Sequence, residues 1–250
     1  MLRKKEVSII LPNFNSSNYI LDTIKSIENQ SYKKWRLIIV DDCSDKKTLD
    51  ILKKIKNKKI QIYYFKKNMG AGYCRNYAIK KSKSAFLAFI DSDDLWEKNK
   101  LKAQINFMIK NKYNFTYTYY HTINENSNFL NPVLTPKIFN FESFVKNTSI
   151  ATSTMIIRRD LVKNIKFPDT KICEDYFFKC QILKKINYAI CYPFFLTKYR
   201  VRKNSLQSNR FKNLLWMWKI NKNLNHFNIF KNFISLLFIS INSLRKYGLR

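Results

Sequence analysis

Ala85-Phe-Leu-Ala-Phe-Ile-Asp-Ser-Asp-Asp94 runs six apolar residues straight into a four-residue segment with three carboxylates. An apolar run without alternation is the pattern of a strand buried on both faces, as in a parallel sheet covered by helices. Three like charges packed into one turn repel one another, so ionising all of them together is costly unless a cation is near. Strand burial and end-of-strand charge set the fold and the place of the chemistry.

The same design recurs upstream. Val7-Ser-Ile-Ile-Leu11 stops at Pro12-Asn-Phe-Asn15, Trp35-Arg-Leu-Ile-Ile-Val40 ends in Asp41-Asp42, and Ile60–Phe65 forms a further strand. Between them lie helical patterns: Asn18 to about Gln30 with Ile20, Leu21, Ile24 and Ile27 on one face, a stretch after Asp45 with Leu49, Leu52 and Ile55 inward, and one after Gly72. This β-α-β-α-β-α-β order predicts an α/β fold, a Rossmann-like and mostly parallel sheet with helices on both faces. Ligands of such sheets bind outside the carboxyl ends of the strands, so Pro12–Asn15, Asp41-Asp42 and Asp91–Asp93 are expected to converge on one crevice. Further on, Phe115–Tyr120 and Thr152–Ile157 read as strands, Glu142–Lys146 and Asp175–Lys184 as helices, and Leu95-Trp96 as a helical stretch capped by Asp94. From about Arg210 the pattern is helical, aromatic and basic.

Each acidic segment has a plain structural reading beside a chemical one. Asp91–Asp94 is a solvated, capping turn or a holder of hard cations: Mg²⁺ and Mn²⁺ take one or two carboxylates plus substrate phosphates. Asp41-Asp42 is a turn or an acceptor for a base N–H or ribose hydroxyl. In Asn68-Met-Gly70-Ala-Gly72-Tyr-Cys-Arg75-Asn76, glycines permit close backbone approach to phosphate and Arg75 can pair with it, yet the segment is neither a Walker loop nor a G-x-G-x-x-G fingerprint. Glu174-Asp175 is a pair favoured by a helix dipole or a general base.

The 250 residues hold 47 Lys+Arg against 17 Asp+Glu, a formal charge of +30, which points to compositional drift or to a polyanionic surface. Five scattered cysteines without C-x-x-C fit a reducing compartment and argue against a disulfide framework or zinc site. With only His121 and His226, a His-based metal centre or triad is poorly supported. Val7–Leu11 is too short for a signal core, and no stretch reaches the ~18–20 apolar residues of a membrane span.

Taken together and in this order, Val7–Asn15, Asp41–Asp45, Asn68–Gly70 with Arg75-Asn76, Phe89–Trp96 and Glu174-Asp175 resemble the family 2 inverting glycosyltransferases of the GT-A fold, most closely bacterial members that build teichuronic acid, capsule or lipopolysaccharide. Tyr199–Ser208 extends the likeness to about residue 208. The resemblance implies a GT-A domain over 1–209, with a nucleotide-sugar-binding half at 1–112 and an acceptor half at 113–209, and a basic aromatic tail at 210–250. It implies transfer of a sugar from a nucleoside-diphosphate sugar to a glycan or lipid-linked acceptor. Pro12 and Phe14 would border the base, with Asn15 and Gly70 also on the donor side. Asp42 would accept from the base with Asp41 beside it, and Asp91 would approach the ribose. Asp93 would bind Mn²⁺ or Mg²⁺ bridging the diphosphate, Glu174 would shape the acceptor side, and Asp175 would be the catalytic base. Where some members carry a metal-ligating His, Tyr199–Ser208 offers Arg200, Arg202 and Lys203 instead. One of these, Arg202 above all, is expected to pair with the diphosphate.

The apolar run Ile234–Ile241, flanked by Lys231, Arg245 and Lys246, reads either as a helix packed on the catalytic domain or as an interfacial segment. The protein is expected in the cytoplasm, and the second reading would put it peripherally on the inner face of an anionic cell membrane. Two other functions compete. A nucleotidyltransferase needs a basic glycine-rich loop after the first strand, where Pro12–Asn15 stands. A nucleic-acid-binding protein would leave the acidic strand ends unexplained; no nucleic-acid partner is expected.

Overall fold

A computed structural model describes residues 3–170, 172–202 and 210–247. The chain opens with β1 (Arg3–Asn13), α1 (Ile20–Glu28), β2 (Trp35–Asp41), α2 (Lys46–Lys53), β3 (Ile60–Tyr64), α3 (Ala71–Lys81) and β4 (Ser84–Phe89). β1 pairs in parallel with β2 and with β4, and β2 with β3, giving the order β3-β2-β1-β4. The winding direction reverses at β1, so a crevice opens at the carboxyl ends of β1 and β4, where a doubly wound sheet takes its ligand.

The chain continues with β5 (Leu95–Trp96), α4 (Lys100–Asn111), β6 (Phe115–Ile123), β7 (Phe129–Val133), β8 (Ile138–Phe139), α5 (Phe141–Phe144), β9 (Ile156–Arg158), α6 (Glu174–Lys185) and β10 (Ala189–Arg200), then α7 (Arg210–Asn223) and α8 (Ile229–Tyr247). One sheet of 10 strands includes them all, ordered β3-β2-β1-β4-β9-β6-β10-β5 with β7 on β6 and β8 on β10. β6 and β10 are parallel, while β9 runs antiparallel to both β4 and β6. The parallel half is therefore extended by a mixed half.

The period-two geometry of a strand sends alternate residues to opposite faces. Ile10, Ile38, Val40, Leu87 and Phe89 enter one core with Ala78 of α3 and Phe178 and Ile182 of α6. Ile9, Leu37, Ile39 and Ala88 enter the other with Ile24 of α1, Leu52 of α2 and Ile105 of α4. This is why the strands read as unbroken apolar runs. Ile220 and Phe227 join the first core, so the tail shares the packing of the sheet domain.

Four local expectations change. Leu95-Trp96 is a strand, not a helix: it pairs with Thr197 and Lys198 of β10, and the Trp96 indole donates to the Ser153 carbonyl at 2.8 Å. Thr152–Thr154 is a 3₁₀ turn, and only Ile156–Arg158 of the expected strand is extended. Asn18 does not cap α1, whose N-cap is Tyr19 without a side-chain bond; Asp45 does cap α2, accepting from the Thr48 N–H at 2.8 Å. Finally, β10 was hidden because its pairing with β6 slips on either side of Phe195, which breaks the alternation.

Candidate active site

The ends of β1 and β2 are tied together first. Asn13 Nδ2 donates to Asp41 Oδ1 at 2.6 Å, and the Ser44 N–H donates to Asp41 Oδ2 at 3.0 Å. Asp41 is fully buried and spent on its own turn. Asp42 reaches the next loop: it accepts from the Met69 N–H at 2.7 Å and the Gly70 N–H at 2.8 Å. Gly70 adopts a φ of 87° there, and α3 starts at the next residue. A carboxylate thus fixes the turn that aims α3 at the crevice. Phe14 stands exposed at the rim, and Asn15, beside it, accepts from the Asp45 N–H at 2.8 Å, whereas Pro12 is buried within β1.

One turn into α3, Arg75 is buried and forks. Nη2 lies 2.6 Å from Asp91 Oδ1 and Nη1 lies 2.7 Å from Glu174 Oε1. Burial alone would weaken its proton affinity, but Asp91, Glu174 and Asp175 outweigh it and hold the guanidinium firmly charged. Arg75 therefore joins the acid turn after β4 to the start of α6, with both terminal nitrogens on protein carboxylates and Nε buried without a hydrogen-bond partner among the described residues. Burial pushes the Glu174 carboxyl up, with Asp175 adding to the rise and Arg75 opposing it.

The 3₁₀ turn makes the same connection by a second route. Ser153 Oγ accepts from the Asp91 N–H at 3.0 Å and donates to Asp94 Oδ2. Its neighbour Thr152 donates to Asp175 Oδ2 at 2.8 Å. Lys179, nearly buried one turn along α6, donates to the same oxygen at 2.7 Å, while the Asp175 side chain keeps 21% exposure. Burial alone would raise the Asp175 carboxyl; the Lys179 ammonium and its hydrogen bond, helped by Arg75 and Thr152, hold it down at about 2.

Asp93 and Asp94 divide the remaining roles. Asp94 is buried and accepts from the Arg200 N–H at 2.8 Å, so it serves the framework. Asp93 Oδ2 lies 2.9 Å from Arg202 Nε. Burial raises the Asp93 carboxyl to about 6, with Asp91 adding to the rise and Arg202 countering it. Arg200 is committed elsewhere: it donates to the Asp93 carbonyl at 2.8 Å and to the Asn124 carbonyl at 2.9 Å. Lys203 lies outside the described residues.

Among the described residues no group of three or more His, Cys, Asp or Glu side chains is arranged to hold a metal ion by itself. The donor chemistry at Asp93 nevertheless fits a hard cation. Its carboxylate is buried beside the like charge of Asp91, the Arg202 and Arg200 guanidiniums offset that only in part, and Mg²⁺ or Mn²⁺ draws most of its ligands from water and phosphate.

Asp91, Asp93, Glu174 and Asp175 thus meet at one rim, and Asp42 is joined to it through Gly70 and α3. Sequence reasoning missed Thr152, Ser153 and Lys179. For Lys179 a signal existed: a Lys four residues after an Asp lies on the same helical face.

The sequence matches the family described as "Glycosyl transferase family 2" over residues 8–166. It is 35% identical over 215 residues to the Escherichia coli UDP-Glc:alpha-D-GlcNAc-diphosphoundecaprenol beta-1,3-glucosyltransferase WfgD, covering 86% of this chain and 84% of that one. It is also 35% identical over 241 residues to WfaP of Escherichia coli, which carries the same description, covering 96% and 95%. Among solved structures, S. aureus TarS 1-349 in complex with UDP-GlcNAc superposes with a TM-score of 0.75 at 23% identity, over 97% of this chain and 73% of that one, a likeness of fold.

Proposed function

The chain belongs to glycosyl transferase family 2, and from that premise we propose that it moves a sugar, with inversion, from a nucleoside-diphosphate sugar to a lipid-linked glycan acceptor in cell-surface polysaccharide synthesis. A nucleotidyltransferase is thereby set aside. The observation that carries the reading is the double bridge across the crevice, Arg75 between Asp91 and Glu174, and Thr152-Ser153 between Asp175 and Asp91. It supports a single compartment in which the donor side and a base face one small molecule. WfgD and WfaP are named for an undecaprenol diphosphate acceptor and a UDP-glucose donor, which supports that class of partners here.

In this reading Phe14 offers a ring face to the base, with Pro12, Asn15, Asp41 and Asp42 shaping that end, and the Gly70 turn lets backbone approach the donor. Asp91 faces the ribose. Asp93 would hold Mn²⁺ or Mg²⁺ together with the donor phosphates. That cation would offset the charge gathering on the departing diphosphate. Arg202, which pairs with Asp93 here, would be the residue placed to pair with the diphosphate were Asp93 to hold the cation. Asp175 Oδ1 takes the proton of the acceptor hydroxyl as its oxygen bonds to the anomeric carbon. The bond from that carbon to the phosphate oxygen breaks, and its electron pair leaves with the nucleoside diphosphate. Glu174, held by Arg75, lines the acceptor side.

A panel of nucleotide sugars tests this, scored by donor-induced thermal stabilisation and by diphosphate release, with Mn²⁺, Mg²⁺ or chelator present. Asp93→Ala should lose the metal-dependent stabilisation. Asp175→Asn should keep donor binding and lose transfer to an undecaprenol-linked acceptor. Transfer at the parent rate by Asp175→Asn, or indifference of every donor to metal, rejects the assignment.

A further inference from the structure

α8 is amphipathic the wrong way round for a helix on a soluble domain. Such a helix turns its apolar face to the core and its polar face to water. Here the inward positions include Asn232 and Ser235, each 1% exposed, while Phe230, Phe233 and Leu237 are 74%, 60% and 48% exposed. Ile229, Phe238, Ile241 and Leu244 continue the exposed stripe along the helix. It is longer than the run legible as Ile234–Ile241.

Polar groups seat much of α8, with Ile239 buried beside them. Ser235 Oγ donates to the Val145 carbonyl at 2.6 Å, and Asn232 Nδ2 donates to the Trp218 carbonyl of α7 at 3.1 Å. Asn221 of α7 donates to Asn232 Oδ1 and to Ser235 Oγ, both at 3.1 Å. Asn221 also accepts from the Tyr176 hydroxyl at 2.7 Å, which ties the hairpin to α6 beside Asp175. This buried polar network fixes α8 with its apolar residues outward. On α7, Phe211 and Leu215 are exposed as well.

The surrounding charge identifies what covers the stripe. After Asp175 the sequence contains no Asp or Glu, and residues 210–250 carry eight Lys and Arg. Among the described residues no helix is long and apolar enough to cross a membrane. A basic helix with an exposed aromatic and aliphatic face lies in a bilayer interface and does not span it.

We propose that the α7–α8 hairpin is a membrane-docking surface, seating the chain on an anionic bilayer through the Ile229–Leu244 stripe and the basic residues around it. Docking rests on the tail's own chemistry. Its purpose rests on the glycosyl-transfer reading: with Asn221 bonded to Tyr176, the inner side of the docked hairpin is tied to the helix that carries Asp175, so docking would hold that helix near the bilayer, where a lipid-anchored acceptor would be presented.

Flotation of the full chain with vesicles of phosphatidylcholine and phosphatidylglycerol, and of phosphatidylcholine alone, tests the surface. The parent should float with the anionic vesicles and not with the neutral ones. The triple variant Phe230→Ser, Phe233→Ser, Leu237→Ser should lose roughly tenfold or more of that partitioning, with an unchanged melting midpoint and unchanged turnover of a water-soluble acceptor. Flotation needs no turnover, so a wrong donor or acceptor assignment leaves this readout intact. The proposal is overturned if the parent stays off anionic vesicles, if it floats equally with neutral ones, or if the variant floats like the parent. A parent dimer by light scattering that the triple variant splits also overturns it, assigning the stripe to a second copy of the chain.

Discussion

Lys179 Nζ lies 2.7 Å from Asp175 Oδ2, one turn further along α6, and Thr152 shares that oxygen. Both contacts fall on Oδ2 and hold in place the carboxylate that we propose as the base. They also keep Asp175 ionised far into the acid range, at about 2 against an ordinary 3.8.

Two measurements follow for Lys179→Met. Without the ammonium the Asp175 carboxyl rises, so the acid limb of the kcat/KM profile should move up by about 1–3 pH units. Asp175 has a depressed folded-state value, so the pair's stabilisation is fully present above the unfolded 3.8 and disappears as pH falls through about 2. Urea unfolding should therefore separate parent and variant by about 2 kcal/mol at neutral pH. The gap should close between pH 4 and 2. A gap that is flat with pH would assign Lys179 a packing role only.

Arg75 holds Asp91 and Glu174 at 2.6 and 2.7 Å from two different nitrogens. Arg75→Met leaves two carboxylates facing each other with little water, a loss of about 3–5 kcal/mol in urea unfolding. Arg75→Lys should recover little, since a point-charge ammonium cannot reproduce the planar fork. Adding Glu174→Gln to Arg75→Met should recover part of the loss, and the double-mutant cycle measures how much of the bridge is charge. Additive single effects would mean that the two side chains do not act as a pair.

The two internal glycines answer to different constraints. A Cβ on Gly72 would stand 3.0 Å from Glu174 Cγ and 3.3 Å from Phe167 Cβ, so Gly72→Ala must displace Glu174. It should cost about 1–3 kcal/mol and lower kcat along with stability. Gly70→Ala meets nothing within 4 Å, but holds a φ of 87°. It should cost about 1–2 kcal/mol of backbone strain and mainly raise the donor KM, because the Asp42-bound turn shifts. Equal melting midpoints for Gly72→Ala and the parent would show that Glu174 can give way freely.

The carboxylates were legible because their signal is local. Asp91 and Asp93 follow an apolar run, Asp41 and Asp42 another, and Glu174-Asp175 opens a helix. A mostly parallel sheet with helices on both faces was legible in the same runs, while the reversal at β1 that gives the order β3-β2-β1-β4 was not, because the crossover rule sets the hand of each connection and not the neighbour of each strand. What each carboxylate is bonded to was not legible. Arg75 reaches Glu174 across 99 positions and Arg200 reaches Asp93 across 107, and no spacing rule links residues so far apart. The two disguised elements share a cause. Trp96 reads as the start of a helix until β10 supplies its strand partner, and β10 is recognisable only beside β6.

Thr152 and Ser153 are consecutive, yet they serve opposite sides of the crevice, and that separates their kinetic signatures. Thr152 bonds Asp175 and accepts from Lys179 Nζ at 3.1 Å, so Thr152→Val frees the base to rotate without touching the acid turn. Its effect should fall on kcat, by about 10-fold or more, with donor binding preserved. Ser153 bonds the Asp91 N–H and Asp94, both in the turn that carries Asp93. Ser153→Ala leaves those buried partners short of a bond, at about 1–3 kcal/mol, and loosens the turn. Its effect should appear first in metal-dependent donor affinity, read by titration calorimetry with a nucleoside diphosphate and Mn²⁺. If both variants lower kcat equally and leave calorimetric affinity alone, the 3₁₀ turn does not divide the two tasks, and Asp93 is not on the donor side of the site.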